Sequence, residues 1–451
     1  MAEQDPPAAK VEVSGRPGRR RKGRRGKAGS PVGPKTAGTA KAKARPKGAR
    51  GAEAGEAPRA EQQPGAPATP KADQRSVEKI APPAGKIAPA STPPTATPAV
   101  PSAPSHPRQA YAAIDLGTNN CRLLIARPSG ENFTVIDAFS RVVRLGEGIA
   151  QSGRLSDAAM ERTLSALRVC ADKLMRRNVY LARSVATEAC RRAVNGPEFI
   201  ERVRHETGIQ LDIISAREEA RLAVLGCHVL LEDGFGPAMI FDIGGGSTEL
   251  VLIESTGTVP RILDWQSVPW GVVSLTESCG PEGTTYEERV ERYRHMHSLV
   301  AESFAAFSKR VGAARESASQ DGPLRLLGTS GTVTTLASLH LELPQYDRRM
   351  VDGLIVPAES MRDISTRLSS MSLDERREVA CIGRERADLV VAGCAILEAI
   401  LDLWPAGRLG VADRGIREGI LRSLIASHSP AHGHSRAPGV RDAVRNAVGA
   451  R

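Results

Sequence analysis

Two short stretches bring an acid, glycines and hydroxyls together: Asp115-Leu-Gly-Thr-Asn119 and Asp242-Ile-Gly-Gly-Gly-Ser-Thr248. Glycine lets a phosphate approach backbone N–H groups, which together form an anion nest. A carboxylate beside such a nest repels the anion, so its natural task is to hold a hydrated divalent cation or a water. Either turn alone is equally an ordinary Asp-Gly hairpin. The second is the stronger candidate, because three consecutive glycines weaken a strand for no evident structural gain. A third glycine turn, Gly328-Thr-Ser-Gly331, adds weight to a phosphate-handling reading. No Gly-x4-Gly-Lys-Ser/Thr occurs and no Gly-x-Gly-x-x-Gly follows a strand, which excludes a P-loop and a dinucleotide fingerprint.

Ser215-Ala-Arg-Glu218 fits a helix capping box, which gives Glu218 a structural task. Glu219 lies one step further round the first turn and has no capping role. A helix N-terminus favours an ionised carboxylate, which suits a general base that takes a proton from water. Taken by itself, its local sequence reads as a solvated surface glutamate. Arg191, in the polar turn Thr187–Arg191, could clamp a phosphate oxygen with its planar fork; alone it too reads as a surface charge.

These residues need elements to position them. Tyr111–Ile114 and Cys121–Ala126 read as strands flanking the first turn, with a third strand near 133–144. Ser156 opens a helical pattern with Met160, Leu164, Leu167, Ala171 and Leu174 at three-to-four spacing. A strand at 182–186, a helix at 197–207, a strand at 209–214 and a helix from 218 to 231 follow. Strands at 238–241 and 249–253 then flank the second turn. A strand at 325–327 leads into the third turn and a helix over 332–339. The class is therefore α/β. The two Asp-x-Gly turns lie 127 residues apart, a weak repeat that predicts two similar domains across a cleft.

The chain has 451 residues and a formal charge of +11. Residues 1–108 hold 21 Lys and Arg against 8 Asp and Glu, a net +13, so the other 343 residues carry −2. The same 108 residues hold 19 of the 31 prolines and no aromatic residue or cysteine. Such a segment cannot bury enough apolar surface to offset its ordering entropy, and disorder is expected there. No run approaches the roughly 18 apolar residues of a membrane span, and the N-terminus lacks the apolar core of a secretory signal. A cytoplasmic protein with no membrane partner is expected. Seven scattered cysteines, never spaced as Cys-x-x-Cys, read as reduced core thiols rather than disulfides or zinc ligands. The His428–His434 tract reads as part of a flexible polar end.

Taken together, these segments resemble the exopolyphosphatase / guanosine pentaphosphate phosphohydrolase (Ppx/GppA) family in its short two-domain form. The matching text is AAIDLGTNNCRLLIA at 112–126, VATEACRRAVN at 185–195, IISAREEARLAVLG at 213–226 and FDIGGGSTELVL at 241–252. LGTSGTVTTLA at 327–337 and LGVADRGIREGIL at 409–421 match as well. The resemblance implies two ribonuclease-H-like domains of the actin, sugar-kinase and chaperone ATPase superfamily around a cleft. They would occupy 109–224 and 225–428, between a disordered basic tail at 1–108 and a flexible tail at 429–451.

The resemblance further implies hydrolysis of the terminal phosphoanhydride of inorganic polyphosphate, with Mg²⁺, releasing orthophosphate. The alternatives are 5′-phosphohydrolysis of guanosine pentaphosphate (pppGpp) and a non-catalytic phosphate- or nucleotide-sensing module. Carried across by position, Glu219 is the general base, and Asp115, Asp242 and Glu249 hold magnesium and its waters. Gly117, Thr118, Asn119, Gly244, Gly245, Gly246 and Ser247 cradle phosphates, and Arg191 and Arg192 grip the chain. Longer family members continue into a helical domain with an HD-type motif; here the match ends near Ser427, which leaves chain-length preference and processivity open. A homodimer is compatible with the resemblance. The basic tail is expected to attract nucleic acid only non-specifically.

Overall fold

The computed structural model describes residues 109–130, 132–255 and 259–428. The expected tails at 1–108 and 429–451 lie outside them. Two sheets organise the described chain. The first runs in the order β3-β2-β1-β4-β5, from β1 (Ala110–Leu116), β2 (Asn120–Ser129), β3 (Asn132–Val142), β4 (Val179–Ala186) and β5 (Leu211–Ile213). The second sheet has β6 (Pro237–Ile243), β7 (Thr248–Glu254), β8 (Arg261–Val268), β9 (Arg325–Thr329), β10 (Ile355–Pro357) and β11 (Arg408–Ala412). Its order is β10-β11-β9-β6-β7-β8.

Each sheet opens with an antiparallel meander and then adds a parallel strand beside its first, β4 on β1 and β9 on β6. The repeat inferred from the two Asp-x-Gly turns is thus a repeat of topology. β1 and the interior of β7 are buried on both faces, as their nearly unbroken apolar runs require. β3, at the edge, has no buried residue.

Helices cover both faces of each sheet. Ser156 caps the helix Asp157–Arg176, whose stripe from Ala159 to Leu174 closes one face of the first sheet. The 36-residue helix Tyr286–Asp321, opened by a Thr285/Glu288 capping box, packs with the apolar helix Val390–Leu403 against the second sheet. The helix Ala216–Cys227 lies between the two sheets. Its Leu222 and Ala223 pack on the first sheet, and its Ala220, Val224 and Cys227 on the second. Residue 224 thus lies inside a helix shared by both lobes.

The last helix, Ile416–His428, returns to the first sheet, where Ile416, Ile420 and Leu421 join the same core as Tyr111 and Val185. It crosses the helix Ala216–Cys227 almost backbone to backbone. A Cβ at Gly226 would stand 1.9 Å from the Gly415 carbonyl oxygen, and one at Gly419 would stand 2.0 Å from that of Leu222. Among the described residues, no helix is long and apolar enough to cross a membrane. Five of the seven cysteines are buried, and Cys279 and Cys381 are half-buried.

Candidate functional site

The two glycine turns close alike. The Gly117 N–H donates to the Asn120 carbonyl at 2.9 Å, and the Gly244 N–H to the Ser247 carbonyl at 2.9 Å. Strand register then fixes the next positions. Asp115 stands opposite Arg122 across β1 and β2, and Asp242 opposite Glu249 across β6 and β7. At these equivalent positions one hairpin pairs an acid with a base and the other pairs two acids.

The turns meet tip to tip. A Cβ on Gly245 would stand 2.9 Å from Thr118 Cβ, and one on Gly246 would stand 2.6 Å from Thr118 Oγ1. Gly271 backs the second turn, where a Cβ would lie 2.4 Å from the Gly245 carbonyl carbon. The glycines of the second turn therefore have a structural task as well: they let the two lobes approach. Between the turns lies a cavity of about 120 Å³, lined by Asp115, Gly117, Thr118, Asn119, Glu219, Asp242, Gly244, Gly245, Gly246, Ser247 and Glu249.

Glu219 reaches this cavity from the first turn of the helix Ala216–Cys227 and is only 6% exposed. Its burial follows from the helix being sandwiched between both sheets, a long-range effect that no local pattern carries. Ser215 caps the helix by accepting from the Glu218 N–H at 3.2 Å. The Glu218 carboxylate does not reach back to complete the expected box; it pairs with Arg183 and Arg221 instead. The segment after Thr187, expected as a turn, is a short helix, Glu188–Arg192.

That helix aims Arg191 at Glu219. Arg191 Nη1 donates to Glu219 Oε2 at 3.0 Å and to the Ile214 carbonyl at 2.7 Å. Its Nε and Nη2 both donate to Glu188 Oε2, at 3.0 and 2.6 Å. Of five guanidinium N–H groups, one is left over. Arg191 thus stands behind the general-base candidate rather than on the cavity wall. Arg192 is exposed and borders a separate small cavity beside Thr118, Gly246 and Glu277.

Electrostatics follow from burial. Burial and the nearby Glu249 charge push the Glu219 carboxyl well above the usual range, while Arg191 opposes the shift. Burial, with Glu219 adding to it, raises Asp242 to about 7. Burial and the Asp242 charge raise Glu249 to about 7, against hydrogen bonds from Ser247 and Ser267 at 2.8 and 2.9 Å. Asp115 is raised by burial and partly offset by Arg122. The carboxylates strain against one another, and a cation among them would relieve that strain.

Among the described residues, no three His, Cys, Asp or Glu side chains converge as an all-protein metal cage. Magnesium does not need one, since it is commonly held by one or two carboxylates together with waters and substrate oxygens. The donor set fits that mode. Asp115 and Asp242 face the cavity from opposite lobes, and the buried amide oxygen of Asn119 has no hydrogen-bond partner. Glu249 sits deeper, at 2% exposure, already accepting from two serines.

Sequence reasoning missed Arg122 and Arg386, which line the wall between this cavity and a second one of about 440 Å³. Ser330 and Gly331 of the third glycine turn share that wall, and Arg417 borders the second cavity. Burial and the like charge of Arg122 hold the Arg386 pKa below its ordinary value. Arg122 carried a faint signal, as the one charge within the run Cys121–Ala126 directly after the first turn. Arg386 carried none, since it sits in a loop without a motif.

Two ribonuclease-H-like lobes, twin glycine turns and a carboxylate-lined cleft define a phosphate-handling protein of the actin, sugar-kinase and chaperone ATPase superfamily. Within that class the chain belongs to the Ppx/GppA phosphatase family, whose family model matches residues 124–428. It is 30% identical over 331 residues to exopolyphosphatase 2 of Mycobacterium tuberculosis, covering 69% of this chain and 98% of that one. The fold is similar to a crystal structure of an exopolyphosphatase from Cytophaga hutchinsonii, with TM-score 0.62 and 25% identity over 71% of this chain and 99% of that one. A crystal structure of the Aquifex aeolicus family member gives TM-score 0.57 and 28% identity, over 72% of this chain and 99% of that one.

Proposed function

We propose that the protein is an exopolyphosphatase, which removes the terminal phosphoryl group of inorganic polyphosphate as orthophosphate. The observation that carries this reading is the placement of Glu219, buried at the cavity that the two glycine turns line and paired to Arg191. A pure binding module has no use for a buried carboxylate of raised basicity, and a hydrolase does. Relatives named exopolyphosphatase, over almost their whole length, support the substrate class.

In this reading the terminal phosphoryl group sits between the turns at 117–119 and 244–247, its oxygens on backbone N–H groups and the Thr118 hydroxyl; the single Ser247 O–H, expected to cradle phosphate, is given to Glu249 instead. Glu219 accepts a proton from the attacking water. The new O–P bond forms as the bridging P–O bond breaks, and the electron pair leaves with the shortened chain. The transition state is loose and spreads its charge, so positioning and cationic contacts supply most of the catalysis. Bound at Asp115 and Asp242, with Glu249 steering its waters, Mg²⁺ would neutralise charge on the phosphate oxygens. Arg191 opposes the rise that burial imposes on the Glu219 carboxyl, and Arg122 and Arg386 receive the rest of the polyanion.

The same chemistry serves pppGpp, so the test compares substrates. Phosphate release from long polyphosphate, short polyphosphate and pppGpp is measured side by side with Mg²⁺. Faster release from polyphosphate is expected, and faster release from pppGpp would reassign the substrate. Glu219→Gln should lose on the order of 10²–10⁴ in turnover with little change in substrate affinity. Unchanged turnover would remove Glu219 from the mechanism.

A further inference from the structure

The loop that follows β3, residues 143–148, touches three parts of the molecule. It underpins the first phosphate turn: the Val143 and Arg144 N–H groups donate to the Asn119 carbonyl at 2.9 and 3.0 Å, and the Gly146 N–H donates to that of Thr118 at 2.9 Å. It is fixed to its own lobe by Arg162, whose guanidinium donates to the carbonyls of Val143 and Arg144 at 3.0 and 3.3 Å. It also crosses the cleft. Arg144 Nη2 reaches the Glu385 carbonyl at 3.1 Å and Asp388 Oδ2 at 3.1 Å, and the Gly148 N–H donates to Glu277 Oε1 at 2.9 Å.

Arg144 adopts φ of 46°, in the left-handed region that a non-glycine residue enters at a cost. That backbone conformation lets one residue donate its N–H to the first turn while its side chain points to the other lobe. Its target matters too. Glu385 and Asp388 flank Arg386, one of the arginines on the wall between the two cavities. Arg144 therefore links the phosphate turn of one lobe to the arginine wall of the other.

We propose that Arg144 is a positioning residue, a cross-cleft tie that holds the Arg386 loop over the first phosphate turn in the geometry that receives substrate. The inference rests on the reading of this cleft as the phosphatase site. The pair is about one-third exposed on each side, at 35% and 32%. Such a pair contributes little to global stability, so variants that break it should fold. Its effect is on the fraction of molecules with the lobes correctly set. Substrate that binds only that fraction shows a weaker apparent affinity, whereas turnover at saturation is retained.

The experiment uses the full-length chain with Arg144→Ala, Arg144→Lys, Arg144→Asp and the charge-reversed double variant Arg144→Asp/Asp388→Arg. KM for polyphosphate should rise about two- to fivefold in Arg144→Ala, the range an exposed pair supports, with kcat unchanged. Arg144→Lys should recover part of the loss, Arg144→Asp should exceed it, and the double variant should return toward the wild-type KM. A KM in the double variant no better than in Arg144→Asp, or an equal fall in kcat in all variants, would overturn the tie.

Hydrogen exchange gives a readout that does not need the substrate. Residues 116–120 and 383–389 should both exchange faster in Arg144→Asp and be protected again in the double variant. Unchanged exchange in either segment would also overturn the tie. If the wild-type protein releases phosphate from none of the substrates, the functional reading fails, and exchange still decides the tie.

Discussion

Asp242 and Glu249 are neighbours across a strand pair, both buried and both raised to about 7. An acid whose pKa is higher in the folded state binds its proton more tightly there. Such a group supports stability below its unfolded value, and that support is lost as pH rises through the folded value. The window here runs from about 4, where the unfolded groups titrate, to about 7. The metal-free protein should therefore melt lower at pH 8 than at pH 5. Asp242→Asn should raise Tm at pH 8 by about 1–2 °C for each roughly 1 kcal/mol of repulsion relieved at this size, and leave Tm at pH 5 nearly unchanged. Added Mg²⁺ should stabilise the wild type more at pH 8 than at pH 5, and the variant less. Calorimetry at the two pH values checks each point; an Asp242→Asn variant that melts lower at pH 8 contradicts the repulsion argument.

At the level of elements, the site is held from behind. Gly271 has ordinary extended dihedrals that alanine tolerates, but a methyl group there meets backbone atoms of Gly245 and Gly246 at 2.4–2.5 Å. Backbone cannot swing aside as a side chain can. Gly271→Ala should therefore displace the second glycine turn, destabilise by about 1–3 kcal/mol as overpacking does, and lower turnover at least tenfold. Denaturant unfolding and saturation kinetics measure both effects, and wild-type turnover would show that the turn has slack. The turns, their acids and the Ser215 cap were legible in the sequence because each depends on residues within a few positions. The short helix Glu188–Arg192 and the pairing of Glu218 were not, since Arg183 and Glu219 are brought to them by the fold. Arg122 left only a faint trace and Arg386 none, because the two lie far apart along the chain and only the fold brings them to one wall. The glycine triplet was seen, but half its purpose, room for Thr118, belongs to the other lobe.

For the molecule as a whole, charge is divided unevenly along the chain. Residues 1–50 alone carry 15 basic and 3 acidic side chains, whereas residues 109–451 carry a net −2. On the proposed reading the cleft attracts its polyanion through local groups, Arg122 and Arg386 foremost. We propose that the basic segment adds a second, non-specific attraction that raises polyphosphate concentration near the enzyme. Deleting residues 1–105 should then raise KM for long chains, more at low ionic strength, and leave short chains unaffected. The same KM for both proteins at low salt would retire that role.

The crossing of the helices at 216–227 and 416–428 has a consequence for how this chain records its own history. Gly226 and Gly419 are excluded from change by the thickness of one methyl group, whereas Glu219, two turns from Gly226, would be excluded by proton transfer. Both kinds of position would stay invariant in descendants of this sequence. Invariance along this helix therefore marks two different debts, one to chemistry and one to the distance between two backbones, and only geometry tells them apart.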